Sequence, residues 1–565
     1  MKYIKYLFTV ILISGLVFMG TGCKKMLDLD INQNPNDPTA APFRLLLTSA
    51  QLNTPAVFEG VNQTALGFMG ILANQGSDAF DLNNTSFNGF WNAFYTGGMK
   101  DLDELLKATA KGESPHFRGV AQTLKAYFFS MFVDLFGDVP YSEAFQGNFG
   151  DGNFTPKFDA AKDIYEDLIK LTDSAQINLA KASPIALAGD IYYANNLTRW
   201  STFANTVKLN LLMKTRQVRA NAQAEIGAIF TSGKYIKATN GTEDFQFKYN
   251  KLNSPEGRHP WYRAAYASGT NNFTYFSKQF MLELLENEDN RLPYYIRRQT
   301  AYILDLSNPS DRGTLPVYNA YLALDPGTYN RLFFNKGKTP TKQDSLYLAG
   351  FFGRARGDRT GVPLDGAFRA IPGAYPAGGL CDYAYSEPAA NIKAITTIVG
   401  SGNGVFPFIT TNMVQWWQIE YQLAYNTGAP RALFESAIRQ SFAYVQRHGK
   451  ESDPACPDIS AAAINDYVAL WLARYDAASS NENKLNVVLK QAWFSNLANG
   501  LEIYTTFRRT ALPSTIDLPA NRLRQFALRL PYPQVEINLN PNAAQYINVI
   551  FDRDAIFWDV KKFKF

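Results

Sequence analysis

Apolar positions recur at three- and four-residue spacing through both ends of the chain and lose that rhythm in the middle. Over 117–136, Val120, Leu124, Tyr127, Met131 and Leu135 mark one buried stripe of an amphipathic helix. Gly137 and Pro140 stop it, as helix ends commonly do. A second helix is predicted from about Ala160 to Ala180, with Asp159 as N-cap and Ile164, Leu168, Leu171, Ala175 and Leu179 inward. A third carries Trp200, Phe203, Ala204, Val207 and Leu211 on one face. The rhythm returns at Val414, Trp417 and Tyr421, at Leu433, Ala437, Ile438 and Phe442, and over 459–475 and 484–507. Consecutive helices with short links imply helical hairpins packed side by side.

Between these helical ends, residues 230–410 are rich in Gly, Pro, Asn and aromatic residues, with short segments and long loops. Their aromatic content argues against disorder, so the pattern predicts a mostly α protein. Helical scaffold at about 43–230 and 411–565 flanks a loop-rich insert at about 231–410, the whole forming one domain.

The N-terminus reads differently. Lys2 and Lys5 precede the apolar run Leu7–Phe18, and Gly20-Thr21-Gly22 leads into Cys23. That order is a secretory signal followed by a lipoprotein cleavage site, with Gly20 where leucine is usual. Residues 1–22 are expected to be removed, Cys23 to carry the lipid anchor, and residues 23–42 to form a polar tether. Beyond the signal, no apolar run reaches the roughly 18 residues of a membrane span.

Removing the signal takes Lys2 and Lys5 with it and lowers the formal charge from +5 to +3. No basic block suggests nucleic acid. Three histidines (His116, His259, His448) in no paired spacing supply metal sites and Ser-His or Cys-His catalysis poorly. There is no G-x-S-x-G elbow, zinc-type helix or phosphate loop. Cys381 and Cys456 either pair in an oxidising compartment or remain two buried thiols. No cofactor is expected. Acids at 78–81 or 358–365 offer oxygens for Ca²⁺ but lack EF-hand spacing, so solvated loop acids are the default.

Tyrosine (31) and tryptophan (8) are plentiful, and such rings suit ligands with apolar faces and polar edges. Two segments combine them with Asn, Asp and Arg. One holds Asn74, Asp78, Trp91 and Tyr95; the other holds Arg258, Trp261, Tyr262 and Tyr266. Trp261-Tyr262, after Pro260, is the leading aromatic platform, with packing between loop and scaffold as the alternative. Trp91 falls in a helical stretch and is expected to be buried, and of Trp416-Trp417 the former is expected to be exposed. Trp200 reads as core, Arg508 and Arg509 as ion-pairing or helix-capping groups, and Asp138 as a group that satisfies nearby backbone donors. Arg356-Gly357-Asp358 spells an adhesion tripeptide.

A set of segments, in order along the chain, carries a resemblance. DLFGDVPYSEAF (134–145), PKFDAAKDIYEDLIKLTD (156–173) and RWSTFANTVKLNLLMKTR (199–216) come first. DNRLPYYI (289–296), GRARGDRTGVPLDGAFRAIPGAYPAGG (353–379), FRRTALP (507–513), RLPYPQVEINLNPN (529–542) and FWD (557–559) follow. Together they resemble the SusD/RagB family of nutrient-binding outer-membrane lipoproteins of the Bacteroidota. The resemblance implies tetratricopeptide-like helix pairs supporting a loop-rich ligand face, and no catalytic activity. It further implies a cell-surface lid over a SusC-type TonB-dependent transporter, capturing oligosaccharide for uptake. A peptide-binding lid, a non-binding structural subunit and a lipid-anchored glycosidase are the competing readings.

Overall fold

The computed structural model describes residues 41–73, 80–147, 152–267, 273–299, 326–340, 348, 350–358, 369–383, 400–520 and 524–561. Cys23, Asn74 and Asp78 lie outside them, as do the signal, the tether as far as residue 40, and 359–365. In chain order the helices are α1 (Phe43–Phe68), α2 (Asn88–Thr96), α3 (Gly98–Ala108), α4 (Pro115–Phe136), α5 (Ala161–Ala180), α6 (Leu197–Thr215) and α7 (Ala222–Ser232). The middle contributes α8 (Pro260–Tyr262), α9 (Lys278–Glu286), α10 (Leu292–Tyr295) and α11 (Pro326–Leu332). The C-terminal part supplies α12 (Thr411–Tyr425), α13 (Pro430–Ser452), α14 (Ala461–Ala477), α15 (Asn481–Ser495), α16 (Gly500–Thr510) and α17 (Gln534–Leu539).

Consecutive helices pack on one another from α3 to α7 and again from α12 to α15. α16 returns to lie on α1, joining the two ends of the chain. Eight short strands form four two-stranded antiparallel pairs among the described residues. In one of them β4 (Phe245–Lys248) pairs with β8 (Val405–Ile409), so the middle segment leaves and rejoins the helices at one place.

The α4 stripe is buried as predicted, and so is nearly every other side chain of that helix. α3, α5 and α6 all pack on it, and β8 covers another side, where the Tyr127 hydroxyl donates to Phe408 O at 3.2 Å. A helix enclosed on every side is apolar all round. Gly137 ends α4 at φ +81°, a left-handed conformation suited to glycine, and the guanidinium of Arg529 lies 3.0 Å from where a Cβ would be.

The cap of α5 corrects the sequence reading. Asp159 does not cap the helix; its Oδ2 accepts from the backbone N–H groups of Tyr141 and Ser142. Asp138 takes the capping role, with Oδ1 accepting from Ala161 N at 2.7 Å, so its expected service to backbone donors is found. The stretch 484–507 is likewise two helices, because the chain breaks after Ser495 and Asn499 caps α16 through Glu502 N.

Trp416 is also corrected. It is buried like Trp417, since α13 and α15 both pack on α12, and its Nε1 donates to Ser495 Oγ at 3.2 Å. Trp200 is core, with Nε1 donating to Asp190 Oδ2 at 2.8 Å. Arg509 forms a bidentate pair with Glu420, which Arg216 joins at 2.9 Å. Burial works against that carboxylate, but the two guanidinium groups outweigh it and hold its pKa at about 2. Arg508 instead lies over the rings of Tyr504 (4.1 Å) and Trp558 (4.8 Å). Arg356 and Asp358 are both buried, which removes the adhesion reading of that tripeptide.

Cys381 and Cys456 form a disulfide that fastens the insert to the turn after α13. Among the described residues the one cluster of metal-ligand type is Cys381, Asp453 and Cys456, and both sulfurs belong to that disulfide. No described helix is long and apolar enough to cross a membrane.

Candidate ligand-binding site

Trp91 and Tyr95 stand one turn apart on α2, which puts them on one face, with ring centroids 5.4 Å apart. The Trp91 ring is wedged between Phe132 and Phe136 of α4, each at 5.0 Å, and Phe158 stacks beside it. The ring is 3% exposed, so it forms the floor beneath the site and offers no free face, and Nε1 donates to Glu536 Oε2 of α17 at 3.2 Å. Tyr95 is half-buried; its hydroxyl donates to Pro140 O at 2.7 Å. Burial, with Glu536 nearby, pushes its pKa well above the usual phenol value, so the hydroxyl keeps its proton and stays a donor.

The opposite wall comes from the loop after α4. Phe145 adopts φ +61°, uncommon for a side chain of its size, and its ring lies 5.7 Å from Tyr95. Its carbonyl accepts from Lys100 Nζ (3.4 Å) and Lys107 Nζ (3.3 Å), which hold the residue in place. Glu143 Oε2 accepts from Asn153 Nδ2 and Lys157 N, pinning the strip that carries Phe154. Asn540 Nδ2 bridges Glu536 Oε1 and Pro156 O, tying α17 to the same strip.

The result is an open cleft of about 530 Å³, within the range of small-molecule sites. Phe154, 68% exposed, stands on the rim, and Asn92, Thr96 and Lys100 place amide, hydroxyl and ammonium groups around it. Apolar ring faces with planar polar groups at their edges match the C–H patches and hydroxyls of a sugar ring.

The second predicted segment is arranged differently. Trp261 is 1% exposed, packed against Phe273 and His259. Tyr262 and Tyr266 stack at 5.1 Å and are buried, their hydroxyls donating to Gly400 O and Pro372 O. Arg258 caps this stack, 5.6 Å over Tyr262 and paired with Glu256 at 2.7 Å. These rings join loop to scaffold and offer no free face, which corrects the platform expectation. So Trp91 and Tyr95 line one cleft, and the Trp261 group does not join them. Phe145, Phe154, Lys100 and Glu536 were not foreseen. Phe154, an apolar residue inside the polar run GNFTP, was the one visible signal.

Residues 35–313 match a family model for SusD-like proteins described as starch-binding and associating with the outer membrane. Among solved structures, a SusD/RagB family protein from Bacteroides thetaiotaomicron is 17% identical, covering 93% of this chain and 100% of its own, with a TM-score of 0.68. A SusD homologue from Bacteroides fragilis (17% identity, 92% and 100% coverage) gives 0.66. A chitin-binding SusD homologue from Flavobacterium johnsoniae (17% identity, 92% and 97% coverage) gives 0.60. No curated protein matches the chain. Residues 35–313 therefore belong to the SusD-like family, and nearly the whole chain shares the fold of SusD/RagB proteins.

Proposed function

We propose that this chain is a surface lipoprotein, anchored through Cys23, that captures a glycan and delivers it as the lid of a SusC-type TonB-dependent transporter. The observation that carries the glycan reading is the cleft floored by buried Trp91, where half-buried Tyr95 and Phe145 and exposed Phe154 offer apolar rings within an amide, hydroxyl and ammonium rim that suits a polyhydroxylated ring. Relatives described as starch-binding and chitin-binding support it. Glycosidic hydrolysis takes two flanking carboxylates, and Glu536, already committed to Trp91 and Asn540, is the one carboxylate among the described residues of the cleft lining. That supports capture without turnover. The lipid and transporter roles rest on the signal-like N-terminus and the family.

The test is a glycan and peptide array probed with residues 24–565, then with Phe154→Ala. Phe154 is so exposed that its removal should change stability by no more than about 0.5 kcal/mol. Binding to one glycan class, weakened about tenfold in the variant (~1.4 kcal/mol), is the expected result. Binding to peptides alone would replace the nutrient class, and glycan binding indifferent to Phe154 would remove this cleft from the function.

A further inference from the structure

A second cleft, of about 520 Å³, opens elsewhere on the scaffold, where β4 meets the last turn of α13 and the 189–192 turn against α1. Its wall begins with a backbone irregularity. Pro55 inside α1 has no N–H to give Gln51 O, and the Tyr192 hydroxyl reaches that carbonyl at 3.4 Å. Gln51 in turn holds the turn, its Nε2 donating to Asp190 and its Oε1 accepting from Ile191 N. Tyr192 is thereby fixed half-buried, 6.4 Å from the half-buried ring of Phe247 on β4.

The polar groups around these two rings are incompletely used. Among the described residues the half-buried guanidinium of Arg199 has no ion-pair or hydrogen-bond partner. His448 is 4% exposed, its Nδ1 lies 2.9 Å from Glu451 Oε2, and its Nε2 has no partner. Burial lowers its pKa, so the ring is neutral near pH 7. With Nδ1–H given to the Glu451 carboxylate, Nε2 is a buried lone pair that lacks a donor. A buried acceptor without a donor costs about 1–3 kcal/mol, and a hydroxyl group would satisfy it. Exposed Asn250 adds an amide at the rim.

We propose that this cleft is a second oligosaccharide site, with Tyr192 and Phe247 as its ring faces and Arg199 and His448 as its donor and acceptor for hydroxyls. It shares no lining residue with the Trp91 cleft, so one protein can hold a long glycan at two points or hold two short ones. Two-point attachment turns the second contact into an intramolecular event and raises avidity without tighter individual sites. The ligand class rests on the glycan reading above; the existence of the site does not.

The experiment is isothermal titration of the full chain in detergent with chitohexaose and maltohexaose, repeated on Phe247→Ala, Arg199→Ala and Phe154→Ala. Arg199→Ala breaks no hydrogen bond or ion pair of its guanidinium among the described residues, so it serves should Phe247→Ala disturb β4. Two binding events per chain, one weakened at least tenfold by Phe247→Ala or Arg199→Ala and the other by Phe154→Ala, is the expected result. A single event, lost on Phe154→Ala and untouched by Arg199→Ala and by a folded Phe247→Ala, overturns the second site and leaves glycan capture standing. A wild type that takes neither probe overturns both.

Discussion

Trp91 Nε1 donates to Glu536 Oε2 at 3.2 Å, joining α2 near the start of the scaffold to α17 near its end. The same carboxylate accepts from Asn540, which also holds Pro156 O. Glu536→Ala should cost about 1–3 kcal/mol, because two donors lose their acceptor. The cleft's glycan affinity should fall with it. Thermal unfolding and titration of the same variant check both. Unchanged binding in a destabilised protein would show that α17 supports the wall without shaping the site.

Glu59 of α1 is buried, and burial raises its carboxyl from 4.5 to about 8, with Gln63, Trp261 and Arg263 opposing only in part. The folded state therefore keeps a proton that the unfolded chain releases. That stabilisation is complete below pH 4.5 and is lost as pH rises through about 8. His259 runs the other way: burial lowers its pKa from 6.5 to about 3, so its contribution is present above pH 6.5 and is lost as pH falls toward 3. Above pH 6.5 the His259 contribution is constant. Over the interval up to about 8, the difference in unfolding free energy between wild type and Glu59→Gln should shift steadily toward the variant. A difference that stays flat would show that Glu59 is charged in the fold.

The disulfide closes a loop with a sequence separation of 75. Cys456→Ser should lower stability by about 2–4 kcal/mol, through the freedom regained by the unfolded chain. Proteolysis within 369–383 should then speed up, since Tyr383 and the Cys381 N–H lean on Asp453 beside the bridge. Denaturant unfolding and limited digestion report the two effects separately.

Cys23→Ala should leave the melting temperature unchanged and release the protein from the membrane fraction. Stacked acyl chains anchor far more firmly than one, so fractionation after a high-salt wash is the measurement. Retention in the membrane pellet would refute the anchor.

Periodicity carried the scaffold. The inward faces of α4, α5 and α6 were legible because those helices bury residues at local spacing, and Leu171, half-buried, is the mildest departure. Trp416 was misread because its neighbours on α13 and α15 are remote in sequence, and one helix's pattern cannot report that a second face is also covered. Asp138 caps α5 in place of Asp159 because a cap is chosen by where the preceding turn places a carboxylate, and both were within reach. Trp91 and Tyr95 were found as residues, yet their cleft was invisible. Its opposite wall depends on the backbone at Phe145 and on Glu536, more than 400 residues away. The Trp261 group had the right composition for a platform, but composition does not distinguish a ring that offers a face from one that fills a seam.

The pairing of β4 with β8 has an evolutionary reading. Because the departing and returning strands are zipped together, the helices on either side meet the same strand ends whatever the length of the loops between them. Loop-closure entropy grows only slowly with length, so those loops of the stretch that do not pack on the helices, as Arg291 and Cys381 do, can be lengthened, trimmed or rewritten at small cost. Descendants of this chain can thus acquire new appetites while inheriting the same frame.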